Sequence, residues 1–448
     1  MQRAGQRSFE RRTGRWCLYA LAAATLTGCA VNTRQADREH FAKAVEERSY
    51  AVRTNAAPAG FELPPGVELT DGVSEDEAVA VGLWNNPGFQ EALTRLEFAR
   101  ADLVGAGLLA NPTLSVLFPA GPKQLEFAVN LPLEAIWLRP RRVAFANLEA
   151  ERIAQSLLQN GLDLIRDIRS AFADLQFARE HERLAQAAAD LQSQIVKLTE
   201  SRVKAGDISE LEASAARLDL ARLREDTKRA RHDVRLADGR LRLITGIAGV
   251  DAANEFQSVR DLPVENISVE TLERRAFASR PDLRASELAI ESAGKRMGLA
   301  KAEVFTLTGI LDANDTESGI DVGPGIQLPI PVFNRNQAGI ARAKTELERA
   351  SWNYLSVKDA IRHEVRESHS KFVEYMGELR SWRENVLPAT EQSLEGFKKA
   401  FELGDVSLLA VHEQTRQLIA ARARQAELAA AAHRARAELE RNTGSRLQ

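Results

Sequence analysis

The prolines of this 448-residue chain constrain its fold most strongly, because they are confined to two zones. Of the 15 prolines, all but Pro388 lie within residues 58–140 or 263–331, and residues 141–262 hold none. Since proline breaks helix interiors, such tracts predict very long helices and argue against a compact α/β enzyme. A kink or a helix boundary is expected at Pro388.

The second half of the chain repeats the first at an offset of nearly two hundred residues. Three landmarks recur in the same order: a serine 13 residues before a proline, a Leu-Pro pair, and a Gly-Asp-Ile/Val-Ser motif. They are Ser74 and Ser268, Leu131-Pro132 and Leu328-Pro329, and Gly206-Asp207-Ile208-Ser209 and Gly404-Asp405-Val406-Ser407. This order predicts a duplicated unit, with repeats at 70–262 and 263–448.

Each repeat is predicted to open with short helices and to continue into two strands. Ser74-Glu75-Asp76-Glu77 has the pattern of a capping box at a helix start. Alternation in the first repeat predicts strands near 113–119 and 124–132, with one apolar face formed by Leu125, Phe127, Val129 and Leu131. In the second repeat, strands are expected near 304–312 and 320–330, joined by a polar loop at 314–319.

After each pair of strands the apolar period becomes helical. Ile165, Ile168, Phe172 and Leu175 step by 3, 4 and 3, which is typical of a coiled-coil seam. A single helix over 141–205 would be ~98 Å long at ~1.5 Å per residue. The fold class predicted from these periods is mainly α with a small β part.

The N-terminus is predicted to be an address rather than part of the fold. Five arginines precede a short apolar segment that ends in Leu26-Thr27-Gly28-Cys29, which resembles the lipobox of bacterial lipoproteins. This resemblance implies a signal peptide at 1–28, lipidation of Cys29, an outer-membrane location, and an extended tether at 29–69. Removing the net +4 of residues 1–28 changes the formal charge from −3 to −7, which argues against a nucleic-acid partner.

Four amphipathic strands in one chain raise a problem of closure. Their length approaches that of a transmembrane strand, and they carry one apolar and one polar face. Four strands cannot close into a barrel, however, and an open sheet edge is not tolerated in lipid. Several copies would therefore have to combine, in a number that the strands alone do not fix.

Three motifs resemble the TolC-like outer-membrane efflux proteins over roughly residues 70–442. They are Ala78 to Leu93 with Asn85-Asn86-Pro87, Leu108-Leu109-Ala110-Asn111-Pro112-Thr113-Leu114-Ser115, and Arg280-Pro281-Asp282-Leu283. The resemblance implies a homotrimer with a shared 12-stranded outer-membrane β-barrel, continued by a periplasmic α-helical barrel. It also implies a passive exit duct for small solutes such as drugs or metal ions, with a periplasmic adaptor and an inner-membrane transporter as partners.

The two Gly-Asp-Ile/Val-Ser motifs are predicted to be turns between long helices, with glycine ending one helix and Asp207 capping the next through an Asp207–Glu210 box. The resemblance implies that these turns meet the adaptor, with candidate contacts at Lys204, Gly206, Asp207, Ser209, Gly404, Asp405 and Ser407. Carboxylates near the turns could form an acidic entrance ring or could simply be solvated groups at helix starts; Glu210, Glu212 and Glu413 are the candidates, together with Asp207 and Asp405.

The sequence contains almost no pattern that resembles a catalytic, cofactor-binding or metal-binding motif. His363 and His369 lie six residues apart, not the four that place two ligands on one helical face. No enzyme and no cofactor is therefore predicted. The alternative to a channel is a periplasmic coiled-coil scaffold lipoprotein without a pore, which would leave the four alternating segments unexplained.

Overall fold

The computed structural model describes residues 33, 37–46, 51–53, 60–67, 72–118, 125–247, 256–258, 262, 268–316 and 319–447. Its helices are α1 (Arg38–Glu46), α2 (Glu75–Asn85), α3 (Pro87–Gly107), α4 (Ala135–Ala205), α5 (Glu210–Thr245), α6 (Val269–Ser279), α7 (Pro281–Ala302), α8 (Gln337–Ser381), α9 (Leu387–Glu402) and α10 (Leu408–Thr443). The strands are β1 (Thr113–Leu117), β2 (Glu126–Pro132), β3 (Thr308–Thr316) and β4 (Gly319–Gln327). The predicted signal peptide and Cys29 lie outside the described residues.

The chain forms two compact units, and each draws on both halves of the sequence. The sheet unit comprises Arg95–Ala154 and Ala285–Tyr354, together with the described residues that precede Phe41. The hairpin unit comprises Phe41–Thr94, Gln155–Arg284 and Leu355–Gln448.

In the sheet unit, the four strands form one antiparallel sheet in the order β1-β2-β3-β4. The expected polar loop at 314–319 is wrong, because Asn314 to Thr316 belong to β3 and Thr316 pairs with Gly319 at the start of β4. Gly319 has a φ of 119°, which glycine adopts without a Cβ penalty. Strand β3 begins at Thr308, not near 304, because Phe305 N–H still donates to Ala302 O in the turn that ends α7.

In the hairpin unit, the capping box predicted at the start of α2 is confirmed. Glu77 accepts a hydrogen bond from Ser74 N–H at 2.8 Å, while the Ser74 hydroxyl accepts from Glu77 N–H. Three of the four residues of the predicted seam, Ile168, Phe172 and Leu175, have fully enclosed side chains, and Ile165 is half-buried. Phe172 makes an edge contact with Phe256, whose ring lies under the guanidinium of Arg242.

The helix expected to change at Pro388 does so through a π-helical segment. Trp382–Val386 forms π-helix directly before α9, and Pro388 is the second residue of α9. Proline has no N–H to donate to the carbonyl four residues earlier, so the spacing of the backbone hydrogen bonds along the helix changes here. The first repeat has no proline at the matching place, and α4 continues unbroken for 71 residues to Ala205.

Buried charges hold the helices of the hairpin unit together. The side chain of Arg280 is 2% exposed and donates to Asp282 and to Glu364, the latter at 2.6 Å. Glu364 also accepts from Arg441, which donates in turn to Asp163. Burial alone would lower the pKa of Arg280, but hydrogen bonds and charges from Asp282 and Glu364 outweigh it and raise that pKa.

A second cluster of charges surrounds Arg169, which pairs with the buried Glu440 and lies near Glu75 and Asp76. Burial raises the pKa of Glu75, and the charge of Arg169 opposes this rise only in part. Glu440 also accepts from Arg436 and from Leu447 N–H, which fixes the end of the chain against α10. Since removing one member of such a cluster leaves buried charge unpaired, both clusters are strong constraints on helix position.

Candidate functional site

The strand register sorts the sheet into one apolar and one polar face. Phe127 lies between Val116 and Ala313, and Val129 lies between Leu114 and Leu311. The apolar face continues onto β4, where Val322, Pro324 and Ile326 stand opposite Ala313, Leu311 and Gly309. Exposure is high along it, reaching 73% for Ile320 and 74% for Ile326. So large an apolar surface marks a site of contact with another apolar phase.

The strand residues proposed to face lipid lie where this pattern puts them. Phe127, Val129 and Leu131 share the apolar face of β2. Leu125 precedes the strand by one residue and is half-buried.

The opposite face of the sheet carries carboxylates and amides. Glu126, Asn314 and Asp321 stand side by side across β2, β3 and β4. Asp312 lies one step further along, and the amide of Asn314 donates to its carboxylate at 2.7 Å. Sequence reasoning assigned Asn314 to a loop, and it placed Asp312 and Asp321 in predicted strands without assigning them to a polar face. The alternation of Asp312, Asn314 and Asp321 with Ala313 and Val322 was the signal that could have found them.

The turn between α4 and α5 is a hydrogen-bonded glycine cap. Gly206 has a φ of 80°, its N–H donates to Val203 O, and Asp207 N–H donates to Arg202 O at 2.9 Å. The predicted Asp207–Glu210 box is wrong, because the cap of α5 is Ser209 and its box partner is Glu212. The backbone of Asp207 is already committed to closing α4, so the helix starts two residues later.

The turn between α9 and α10 repeats this geometry with one difference. Gly404 has a φ of 85°, Asp405 N–H donates to Ala400 O at 2.9 Å, and Ser407 caps α10. The box is incomplete here, because Ala410 occupies the position that Glu212 holds in the first repeat. In both turns the candidate contact residues are exposed: Lys204, Gly206, Asp207, Ser209, Gly404, Asp405 and Ser407.

Three of the five carboxylates considered for an entrance ring have side-chain partners in their own chain. Glu210 accepts from Arg217 at 2.8 Å, and Arg217 also reaches Glu200. Glu212 belongs to the capping box, and Glu413 pairs with Arg416. These contacts stiffen the helix starts, and the ring itself stays a prediction.

Exposed leucines lie within the segments Lys204 to Leu211 and Glu402 to Leu409, which the resemblance implies as adaptor contacts. Leu211 is 79% exposed, Leu403 is 78% exposed and Leu409 is 53% exposed. Leu211 and Leu409 follow the capping serines Ser209 and Ser407 by two residues in both repeats. An apolar residue therefore stands at matched positions after the two helix caps. Together they give each hairpin an apolar tip on a rigid, hydrogen-bonded turn.

Among the described helices, none combines the length and the apolar composition needed to cross a bilayer. The exposed features of the described residues include the amphipathic sheet and the hairpin tips. A duplicated arrangement of long helical hairpins with an amphipathic four-stranded sheet is the architecture of an outer-membrane efflux channel subunit.

Comparison with known proteins agrees with that class. Residues 272–445 match the outer membrane efflux protein family. The chain is 22% identical to the cobalt-zinc-cadmium resistance protein CzcC of Cupriavidus metallidurans over 355 residues, which is 78% of this chain and 84% of CzcC. Its fold is similar to that of CusC, with a TM-score of 0.68, 18% identity, and coverage of 88% of this chain and 98% of CusC. It is also similar to the outer-membrane channel CmeC of Campylobacter jejuni, with a TM-score of 0.69, 15% identity, and coverage of 88% and 94%.

The chain is thus similar to the TolC-like outer-membrane efflux proteins, by the family match over residues 272–445 and by its fold over most of its length. The proteins that it resembles are transport channels rather than enzymes.

Proposed function

We propose that this chain is the passive exit duct of a tripartite efflux system and that it works as a homotrimer. Three sheets of four strands would close into a 12-stranded barrel in the outer membrane. The long helices would continue the duct into the periplasm as an α-helical barrel. No chemistry is assigned to the duct, and the energy would come from an inner-membrane transporter.

One observation carries this proposal, namely the two-faced sheet with free edges. Its apolar face is continuous over all four strands, its polar face carries Glu126, Asp312 and Asp321, and the strand order leaves β1 and β4 as edges. An edge strand in lipid requires a partner because its backbone groups find no water there. Pairing β4 of one copy with β1 of the next would satisfy both edges and place the carboxylates inside.

The hairpin tips are the proposed contact with a periplasmic adaptor protein. Each tip presents exposed leucines on a turn fixed by glycine-cap hydrogen bonds, so little ordering entropy would be lost on binding. The contact would include Lys204, Gly206, Asp207 and Ser209 in the first tip and Gly404, Asp405 and Ser407 in the second.

The lipid anchor and the cargo complete the proposal. Lipidation of Cys29 after removal of residues 1–28 would fix the N-terminus to the outer membrane, with 29–69 as the tether. The cargo class is small solutes such as drugs or metal ions. Similarity to a cobalt-zinc-cadmium resistance protein, together with the carboxylates on the polar face, favours metal cations.

The test is the oligomeric state and conductance of the full chain. Protein purified in detergent is expected to run as a trimer, and it should form ion-conducting pores in planar bilayers. A monodisperse monomer without conductance would contradict the proposal and would favour the scaffold alternative.

A further inference from the structure

Exposed apolar side chains surround one end of the sheet, the end at which β1 and β3 begin and β2 and β4 finish. We call this region the basal surface; it comprises Leu108, Leu109, Ile136, Trp137, Phe305, Leu328, Ile330, Val332 and Phe333. Phe333 is 92% exposed and Ile330 is 79% exposed. All four segments that connect a strand to a helix at this end of the sheet contribute to the basal surface, so the surface belongs to the sheet unit as a whole.

The loop that carries Phe333 is held in a defined shape. Asn336 adopts a φ of 55°, and its side-chain amide donates to Ala300 O at 2.8 Å at the end of α7. Gln337 donates to Phe333 O, and Arg335 N–H donates to the Gln337 side chain. The exposed Phe333 therefore stands on a loop that these hydrogen bonds hold in place.

Positive charge accompanies these apolar side chains. Residues 328–344 contain Arg335, Arg342 and Lys344 and no carboxylate. Residues 134–142 contain three arginines and one carboxylate, Glu134, which accepts a hydrogen bond from Leu307 N–H. Arg139 and Arg142 donate to Gly107 O and Leu108 O, which holds their guanidiniums beside the exposed leucines at the end of α3. The acidic residues Glu126 and Asp321 lie near the opposite end of the sheet, where β2 and β4 begin. The charge of the sheet is therefore polarised along the strands.

From this juxtaposition we infer that the basal surface binds the headgroups of anionic phospholipids in the periplasmic leaflet of the outer membrane. Aromatic and aliphatic side chains suit the boundary of the hydrocarbon region, and arginines just outside it pair with lipid phosphates. The inference rests on the proposed function, because the strands must lie in the membrane for this end of the sheet to meet headgroups. An anionic lipid would then fix the depth of the channel.

The test compares lipids on the purified full chain in non-ionic detergent. Phosphatidylglycerol is expected to raise the melting temperature at lower concentration than phosphatidylcholine of the same acyl chains, and inorganic phosphate should have no effect. The double variant Arg335→Gln/Arg342→Gln removes two exposed cations. It should raise the half-effective concentration of phosphatidylglycerol about tenfold or more, since each cation near a membrane surface contributes about 1 kcal/mol.

Two further variants keep this test interpretable. Arg335→Lys/Arg342→Lys should retain the response, because a phosphate accepts either cation. Arg222→Gln/Arg229→Gln changes two exposed arginines of α5 and should respond as the unchanged chain does. Equal effects of the two lipids, or an unchanged response of the Arg335/Arg342 glutamine variant, would overturn the inference. Bilayer conductance is measured in parallel. A chain that conducts ions but shows no lipid preference refutes only this inference, whereas absence of conductance in the unchanged chain refutes the proposed function.

Discussion

The side-chain amide of Asn86 donates a hydrogen bond to the backbone carbonyl of Ile244, 2.8 Å away. In the second repeat, the guanidinium of Arg280 donates to the carbonyl of Asn442. Asn86 and Arg280 each directly precede the proline that starts a helix. Ile244 and Asn442 each lie two residues before the glycine that caps the end of a long helix. The duplication has thus kept a helix-end contact while changing the residue that makes it.

These two contacts predict unequal losses of stability. Arg280→Ala leaves Asp282 and Glu364 without their buried cation and is expected to cost about 3 kcal/mol, at the low end for a buried pair because both carboxylates are partly exposed. Asn86→Ala removes neutral hydrogen bonds and should cost about 1 kcal/mol. Denaturant midpoints of the two variants measure the difference, and equal midpoints would contradict the role given to the buried charges.

The tip glycines are predicted to be required by backbone conformation. Gly206→Ala forces a Cβ into a φ of 80° and should destabilise the turn by about 1 kcal/mol. Trypsin is expected to cleave faster after Lys204 in this variant. The matched control is Gly239→Ala, in the interior of α5 with open space around it, which should leave that cleavage rate unchanged. Equal rates for both variants would show that the turn tolerates a side chain.

Periodicity made much of this fold predictable. The seam residues Ile168, Phe172 and Leu175 and the apolar face of Phe127 and Val129 follow directly from steps of 3–4 and 2. Local polarity misled where strand pairing decides the structure, as in the strand residues Asn314 to Thr316, which pair with Gly319 to Asp321 of β4. Two cap-forming residues two positions apart, Asp207 and Ser209, could not be ranked from sequence. The hydrogen bond from Asp207 N–H to Arg202 O decides which one caps α5, and that bond belongs to the end of the preceding helix.

Burial of His412 predicts that the free energy of unfolding decreases as the pH falls. The ring lies on α10, one turn after its cap, and burial lowers its pKa below 6.5. Between that lowered pKa and 6.5 the unfolded chain binds more protons than the folded chain, so stability rises with pH through this window and is lost as pH falls through it. Melting temperatures from pH 5 to 7.5 should show a shallower slope for His412→Gln. An unchanged slope would contradict the prediction, and the exposed His363→Gln is the control.

The carboxylates on the polar face of the sheet are predicted to make the pore prefer cations. Asp312→Asn/Asp321→Asn removes two negative charges from this face without a change of size, and should shift the reversal potential in a KCl gradient towards zero. Asp219→Asn, on the exposed face of α5, is the control and should leave that potential unchanged. If the sheet variant also leaves it unchanged, these carboxylates do not line the conducting path.

The most direct test places the same charge on the two faces of one strand. Phe127 and Ala128 are neighbours on β2, and Ala128 stands opposite Asp312 on the polar face. Phe127→Arg should abolish insertion and conductance in planar bilayers, because an arginine facing lipid costs about 2–4 kcal/mol at mid-depth in each subunit. Ala128→Arg should insert and conduct, since its charge meets water and a carboxylate. Equal conductance from both variants would contradict the assignment of the apolar face to lipid, and with it the channel.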